Sequence, residues 1–215
     1  MHSRPLRIAL LAAALALVAI TAGCATPPAD VAALTPPHAA APVDTGTPLP
    51  VPGSTSTPAP GSWDAVEIPA GLALVIVTSA DDAADAETTA AIAAIESYAT
   101  AHDAAVTVTS GPDLERLLLE AAAAQPDAII TLGPAGLDAI DRASASNLAV
   151  PFLLIGAQLP EPTDNVSAVI WPGADSRASD GAVAGSLAAH AASAVSVGIA
   201  AVVEGRTGTV FELGA

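Results

Sequence analysis

The chain has 215 residues, with 22 acidic side chains against six arginines and no lysine, a formal net charge of −16 at pH 7. Such a field repels polyphosphates and anionic headgroups, so it argues against nucleic-acid binding and electrostatic membrane docking. One cysteine leaves no internal disulfide to expect.

The first residues differ from the rest. Met1 to Arg7 holds two arginines and no acid, and Ile8 to Ile20 is thirteen uninterrupted apolar residues. Thr21-Ala-Gly-Cys24 then supplies small residues ahead of the single cysteine. A basic start, a short apolar run and small residues before a cut describe an export signal, too short for an ordinary membrane span. Ending on cysteine, the segment resembles a bacterial lipoprotein signal, with Thr21 standing where that family usually has Leu or Val. The resemblance implies cleavage after residue 23, a lipid on Cys24 and a place on the outer face of the cell membrane. Losing residues 1–23 leaves four arginines against 22 acids, a net charge of −18.

From Ala25 to Ser62 the composition changes. Ten of the nineteen prolines fall in this stretch, whose only charges are Asp30 and Asp44. Proline at that density prevents helix and central strand, so residues 24–62 are expected to form a disordered, partly polyproline-II tether. Fully extended it would reach about 120 Å, at ~3.1 Å per residue. Residues 63–215 are then expected to be one domain with its own core.

Within that domain, Leu72 to Thr78 is a continuous aliphatic run, as in a strand buried on both faces. An acidic stretch, Asp81 to Glu87, leads into a helix ending near His102, and Ala105 to Thr109 is a second strand. Pro112 and Asp113 start a helix whose Leu114, Leu117, Leu118 and Ala121 follow the spacing of a packed face. Asp127 to Leu132 is a third strand, Leu137 to Ser144 a short helix, Val150 to Ile155 a fourth strand and Val166 to Trp171 a fifth. Ser176 to Ser193, rich in alanine and glycine, predicts a helix, and the alternation of Val195, Val197 and Ile199 predicts a strand. A turn at Gly205 to Gly208 precedes a last strand, Thr209 to Leu213.

Gly181 to Val203 carries no charge for 23 residues, but its serines, its histidine and the missing basic flanks argue against a membrane span. Repeated strand–helix units predict an α/β fold, an open, mostly parallel, doubly wound sheet with its crevice beyond the strands' carboxyl ends.

Pro126 to Ile130, Pro151 to Ile155, Asn165 to Val169, and Gly181 to Ala189 followed by Val197-Gly198 resemble, in order and spacing, phrases of the type I periplasmic binding proteins. The nearest branch is the basic membrane protein or nucleoside-binding lipoproteins. The resemblance covers residues 72–203 and implies a single lobe like the amino-terminal one of that family, taking a small-molecule ligand and serving an ABC-type permease. The family's first-strand loop has a Gly-Asp-Asn pattern, here replaced by Ser79-Ala-Asp-Asp-Ala-Ala-Asp85. Its acid after the fourth strand is here Gly156-Ala157-Gln158. The nucleoside contacts therefore do not carry over.

Residues after strand ends are the candidate ligand contacts: Asp81, Asp82, Ser110, Gly133, Gln158, Trp171 and Asp175. The acids at 81, 82, 85 and 87 suit either a divalent cation or the capping of a helix start, and we favour capping. Trp171 suits either stacking on a flat ligand or covering the sheet edge. A phosphoryl-receiver reading fails, because no acid follows the third strand and no lysine exists. Neither a nucleophile elbow nor a phosphate-binding glycine loop is present, so no enzyme activity, metal or cofactor is expected.

Two functions stand side by side: a solute-binding module, and a non-catalytic envelope lipoprotein that keeps the fold without a pocket. With −18 on each mature chain, a monomer is expected. Cys24→Ser should abolish metabolic incorporation of labelled fatty acid; undiminished label on the variant would refute lipidation at this residue.

Overall fold

The computed structural model describes residues 51–181 and 186–214. The export signal, Cys24 and residues 24–50 of the expected tether lie outside the described residues. Among the described residues are seven strands: β1 (Thr55–Ser56), β2 (Ala73–Ser79), β3 (Ala105–Gly111), β4 (Ala128–Leu132), β5 (Phe152–Ile155), β6 (Val166–Ile170) and β7 (Val210–Glu212). The helices are α1 (Ala80–Ala83), α2 (Ala86–Ala101), α3 (Leu114–Ala123), α4 (Leu137–Ser146) and α5 (Leu187–Val203). No helix among the described residues is long and apolar enough to cross a membrane.

All pairings are parallel, in the order β1-β7-β6-β5-β4-β2-β3. The chain passes from β2 outward to β3, returns to β4 on the other side of β2, and continues in that direction. The order therefore reverses between β2 and β4. A parallel sheet needs cover on both faces, and the central strands show it: β4, β5 and β6 are buried at every residue. One face, with Leu74, Ile76, Ile130, Leu153, Ile155, Val169 and Phe211, packs under α2 and α5. The other, with Val77, Ile129, Phe152, Leu154 and Ala168, packs against α3 and α4. Burial of a Val, Leu, Ile or Phe side chain contributes roughly 1.5–3 kcal/mol.

Helix starts follow local chemistry. Asp85 accepts from the Thr88 N–H at 2.9 Å, Asp113 from the Arg116 N–H at 3.1 Å, and Ser186 from the Ala189 N–H at 3.1 Å. Each satisfies an otherwise orphaned donor of a first turn. Glu115 and Arg142 join α3 to α4 at 2.6 Å, an exposed pair worth little in water.

Two expectations are corrected. The segment read as a helix to Ser193 followed by a strand at 195–199 is irregular through 176–181, with a turn at Ser179–Asp180, and from Leu187 it is one helix, α5, running on to Val203. From Ala194 to Ala201 nearly every α5 residue is buried, so no polar face marks the 3.6 period, and three alternating β-branched residues imitate a strand. The second correction concerns the tether. Its last residues are tied into the sheet: β1 pairs with β7, the Gly53 N–H donates to the Gly208 carbonyl at 2.8 Å, and the Val210 N–H to the Ser54 carbonyl at 2.9 Å. Only two residues are in strand form, at a sheet edge where neighbouring prolines do no harm.

A chain of residues 63–215 should therefore melt below one of residues 51–215. Two backbone hydrogen bonds at about 1 kcal/mol net each predict a loss of ~4–8 °C. Coincident melting curves would show that β1 adds nothing.

Candidate functional site

In a doubly wound sheet the loops leaving the strands on either side of the order reversal part from one another and leave a crevice. Here these are the loops after β2 and β4, and a cavity of ≈ 480 Å³ opens between them. Its wall takes Asp82 from α1, Asp85, Glu87 and Thr88 from the start of α2, and Leu132 to Ala135 from the end of β4. Ser179, Asp180 and Gly181 come from the loop before α5, and Leu187 from that helix's first turn.

Each part is held in place. Ser79 caps α1 reciprocally, donating to an Asp82 carboxylate oxygen at 2.6 Å and accepting from the Asp82 N–H at 3.0 Å. Glu87 reaches from α2 to α5, accepting from the Ser186 hydroxyl at 2.6 Å and the Ala188 N–H at 3.3 Å. The Asp138 N–H donates to the Ser179 hydroxyl at 3.3 Å, joining the loop before α5 to the start of α4. Gly133 turns the chain at φ 70°, a left-handed conformation costly for other residues, while its N–H donates to the Ile155 carbonyl at 2.8 Å.

Four carboxylates face the cavity, and no Lys, Arg, His or Cys is among its lining residues. No group of three or more His, Cys, Asp or Glu placed to hold a metal ion occurs among the described residues. Asp85 and Glu87 instead accept from N–H groups at helix starts, and Asp82 from the Ser79 hydroxyl that caps α1, positions where the helix dipole stabilises negative charge. The wall can still accept hydrogen bonds from hydroxyl or ammonium groups, and it repels anions.

Two of the seven ligand residues expected from sequence, Asp82 and Gly133, meet in this cavity. Asp81 is exposed on α1 and Ser110 is exposed at the end of β3, both outside its wall. Gln158 is buried, donating to the Asp175 carbonyl and accepting from Arg177 at 3.1 Å each, on a separate hollow near Gly53 and Pro160. Asp175 is exposed and lies off the cavity. Trp171 is not at a crevice mouth: only 2 % exposed, it stacks on His190 with ring centroids 4.3 Å apart and planes 5° from parallel. Sequence reasoning overlooked Thr88, Ser179 and Asp180. The strand reversal could have pointed to Thr88, but nothing local announces that the loop before α5 folds back over the β4 end.

No protein-family model and no curated protein matches the chain. Among solved structures it is similar to an ABC-transporter solute-binding protein from Aeropyrum pernix K1, at 16% identity and TM-score 0.41 over 47% of this chain and 29% of that one. It is likewise similar to an ABC-transporter solute-binding protein from Conexibacter woesei DSM 14684, at 20% identity and TM-score 0.39 over 47% of this chain and 35% of that one. A fragment from Peptoclostridium difficile 630, provisionally described as a lipoprotein, gives 9% identity and TM-score 0.46 over 63% of this chain and 98% of that one. The aligned part is thus about a third of each solute-binding protein's length.

The Thr88 N–H holds the Asp85 carboxyl below the usual carboxylate range. A group with a depressed folded value stabilises fully above its unfolded value and loses that contribution as pH falls through the folded one. Melting temperature should therefore fall as the solution is acidified below about pH 4. Asp85→Asn, which keeps the cap but not the charge, should fall less steeply over the same range. Parallel acid profiles for the two would exclude this contribution.

Proposed function

We propose that this domain is an extracytoplasmic solute-binding module, held to the membrane by a lipid on Cys24, that takes a small polar solute into the cavity between the ends of β2 and β4. The observation that carries the reading is the cavity itself: about 480 Å³, at the strand reversal, walled by polar groups from three separate loops. Its acidic wall selects neutral polyols or amines over anions. The lipoprotein-type signal supplies the location, and the resemblance to periplasmic binding proteins supplies an ABC-type permease as the partner that would accept the solute. Assignment to the nucleoside-binding branch rests on the sequence phrases alone.

One observation favours the second reading, an envelope lipoprotein without a ligand. Asp85 and Glu87 already accept from N–H groups at helix starts and Asp82 from the capping Ser79 hydroxyl, which is what a structural role would require.

A thermal-shift screen of the full chain against sugars, nucleosides and small amines separates the two. A true ligand at 100 times its Kd adds roughly 2.7 kcal/mol, which at this chain length raises the melting temperature by ~5–10 °C. Asp180→Ala, at the exposed rim, should cut that shift while leaving the ligand-free melting temperature in place. A screen without any shift, together with an unchanged Asp180→Ala profile, would favour the structural reading.

A further inference from the structure

The opposite end of the domain holds a second concavity of different chemistry. The chain has only five Phe, Trp and Tyr residues, yet Trp63 and Tyr98 both line one hollow of ≈ 210 Å³, beside His102 and Asp64. Tyr98 and His102 lie one turn apart on α2, with ring centroids 4.4 Å apart and planes inclined at 44°. Trp63 arrives from the turn before β2, fixed by the Val66 N–H donating to the Trp63 carbonyl at 3.1 Å. Val66, Ile68 and Ser196 complete the wall; the Ser196 hydroxyl donates to the Ala192 carbonyl at 2.8 Å.

Three features of this hollow favour a positive charge. Ring faces attract cations through their quadrupoles, most strongly for Trp and Tyr. Asp64 adds a carboxylate, and no Arg or Lys lines the wall. His102 is the carboxyl-terminal cap of α2, so the negative end of that helix dipole also points here. Burial pushes the Tyr98 phenol up to about 12, leaving its ring neutral at physiological pH. The space equals about seven waters at ~30 Å³ each, enough for a methylated ammonium head and too little for a drug-sized ligand.

We infer that Trp63, Tyr98, His102 and Asp64 form a binding site for a small alkylammonium cation of the choline type, distinct from the cavity between β2 and β4. An amphipathic, rigid ring pair beside a carboxylate recognises charge together with apolar methyl surface. That combination separates a quaternary ammonium from both a sodium ion, which is too strongly hydrated, and a neutral alcohol of equal shape.

The test titrates the full chain with choline while following the indole N–H resonances of its two tryptophans. Choline should move the Trp63 signal and leave the buried Trp171 signal in place, with a Kd of roughly 0.1–10 mM from a few cation–π contacts. Its uncharged isostere, 3,3-dimethyl-1-butanol, should bind at least ~10-fold more weakly. Asp64→Asn, an exposed position, should weaken choline about threefold or more, a change on the scale of one surface ion pair. Tyr98→Leu should abolish the response, and its melting curve will report whether the fold persists; Tyr98→Phe, which keeps the ring, should retain it. Equal affinity for choline and the alcohol, or a Trp63 resonance unmoved by choline in the folded wild-type chain, would overturn the inference.

Discussion

The approach of α5 to the sheet sets the rest of the structure. A side chain on Gly198 would overlap Leu153 of β5, so the helix lies closer to the strands than any larger residue would permit. Ala191, Ala194 and Ala201 extend the same small surface, and α2 packs alongside through Ala91, Ile95 and Ala99. This is dispersion at short range: many contacts, each worth only tenths of a kcal/mol, gained because no bulky group holds the layers apart. With α5 and α2 side by side, their first turns come together, and Glu87 can reach the Ser186 cap across 99 positions of sequence. The wall of the cavity between β2 and β4 follows from that packing.

Much of the fold is legible because burial on both faces leaves a plain signal. Leu72 to Thr78, Asp127 to Leu132 and Val150 to Ile155 read as strands since a central parallel strand tolerates no polar alternation. The α3 stripe of Leu114, Leu117 and Leu118 reads as a helix because one of its sides faces water. The same logic explains α5. A helix buried on almost every side has no polar stripe, so Val195, Val197 and Ile199 were free to mimic a strand. The short β1 left no trace either, because two residues cannot establish a period and the surrounding prolines spoke for a tether.

The candidate site was legible to a smaller degree, for a topological reason. Which loops share a crevice depends on strand order, and strand order is a long-range property that local composition does not encode. Asp82 and Gly133 follow neighbouring strands, β2 and β4, and so meet. Ser110 also stands at a strand end, but β3 is the sheet edge on the far side of β2. Gln158 and Trp171 follow β5 and β6, displaced away from the reversal, and both are engaged by their own neighbours, Arg177 and His190.

The charge of the chain acquires a local meaning from this geometry. Carboxylates at helix starts neutralise the positive ends of helix dipoles, so Asp82, Asp85 and Glu87 are stabilised without any basic partner. The four arginines of the described domain lie elsewhere: Arg116, Arg142 and Arg206 are spent on exposed pairs with neighbouring acids, and Arg177 on Gln158. Neither the cavity between β2 and β4 nor the aromatic hollow at the other end has an arginine in its wall. With the arginines off both concavities, helix dipoles are what offsets Asp82, Asp85 and Glu87 in the first, while Asp64 in the second lies near the negative end of α2.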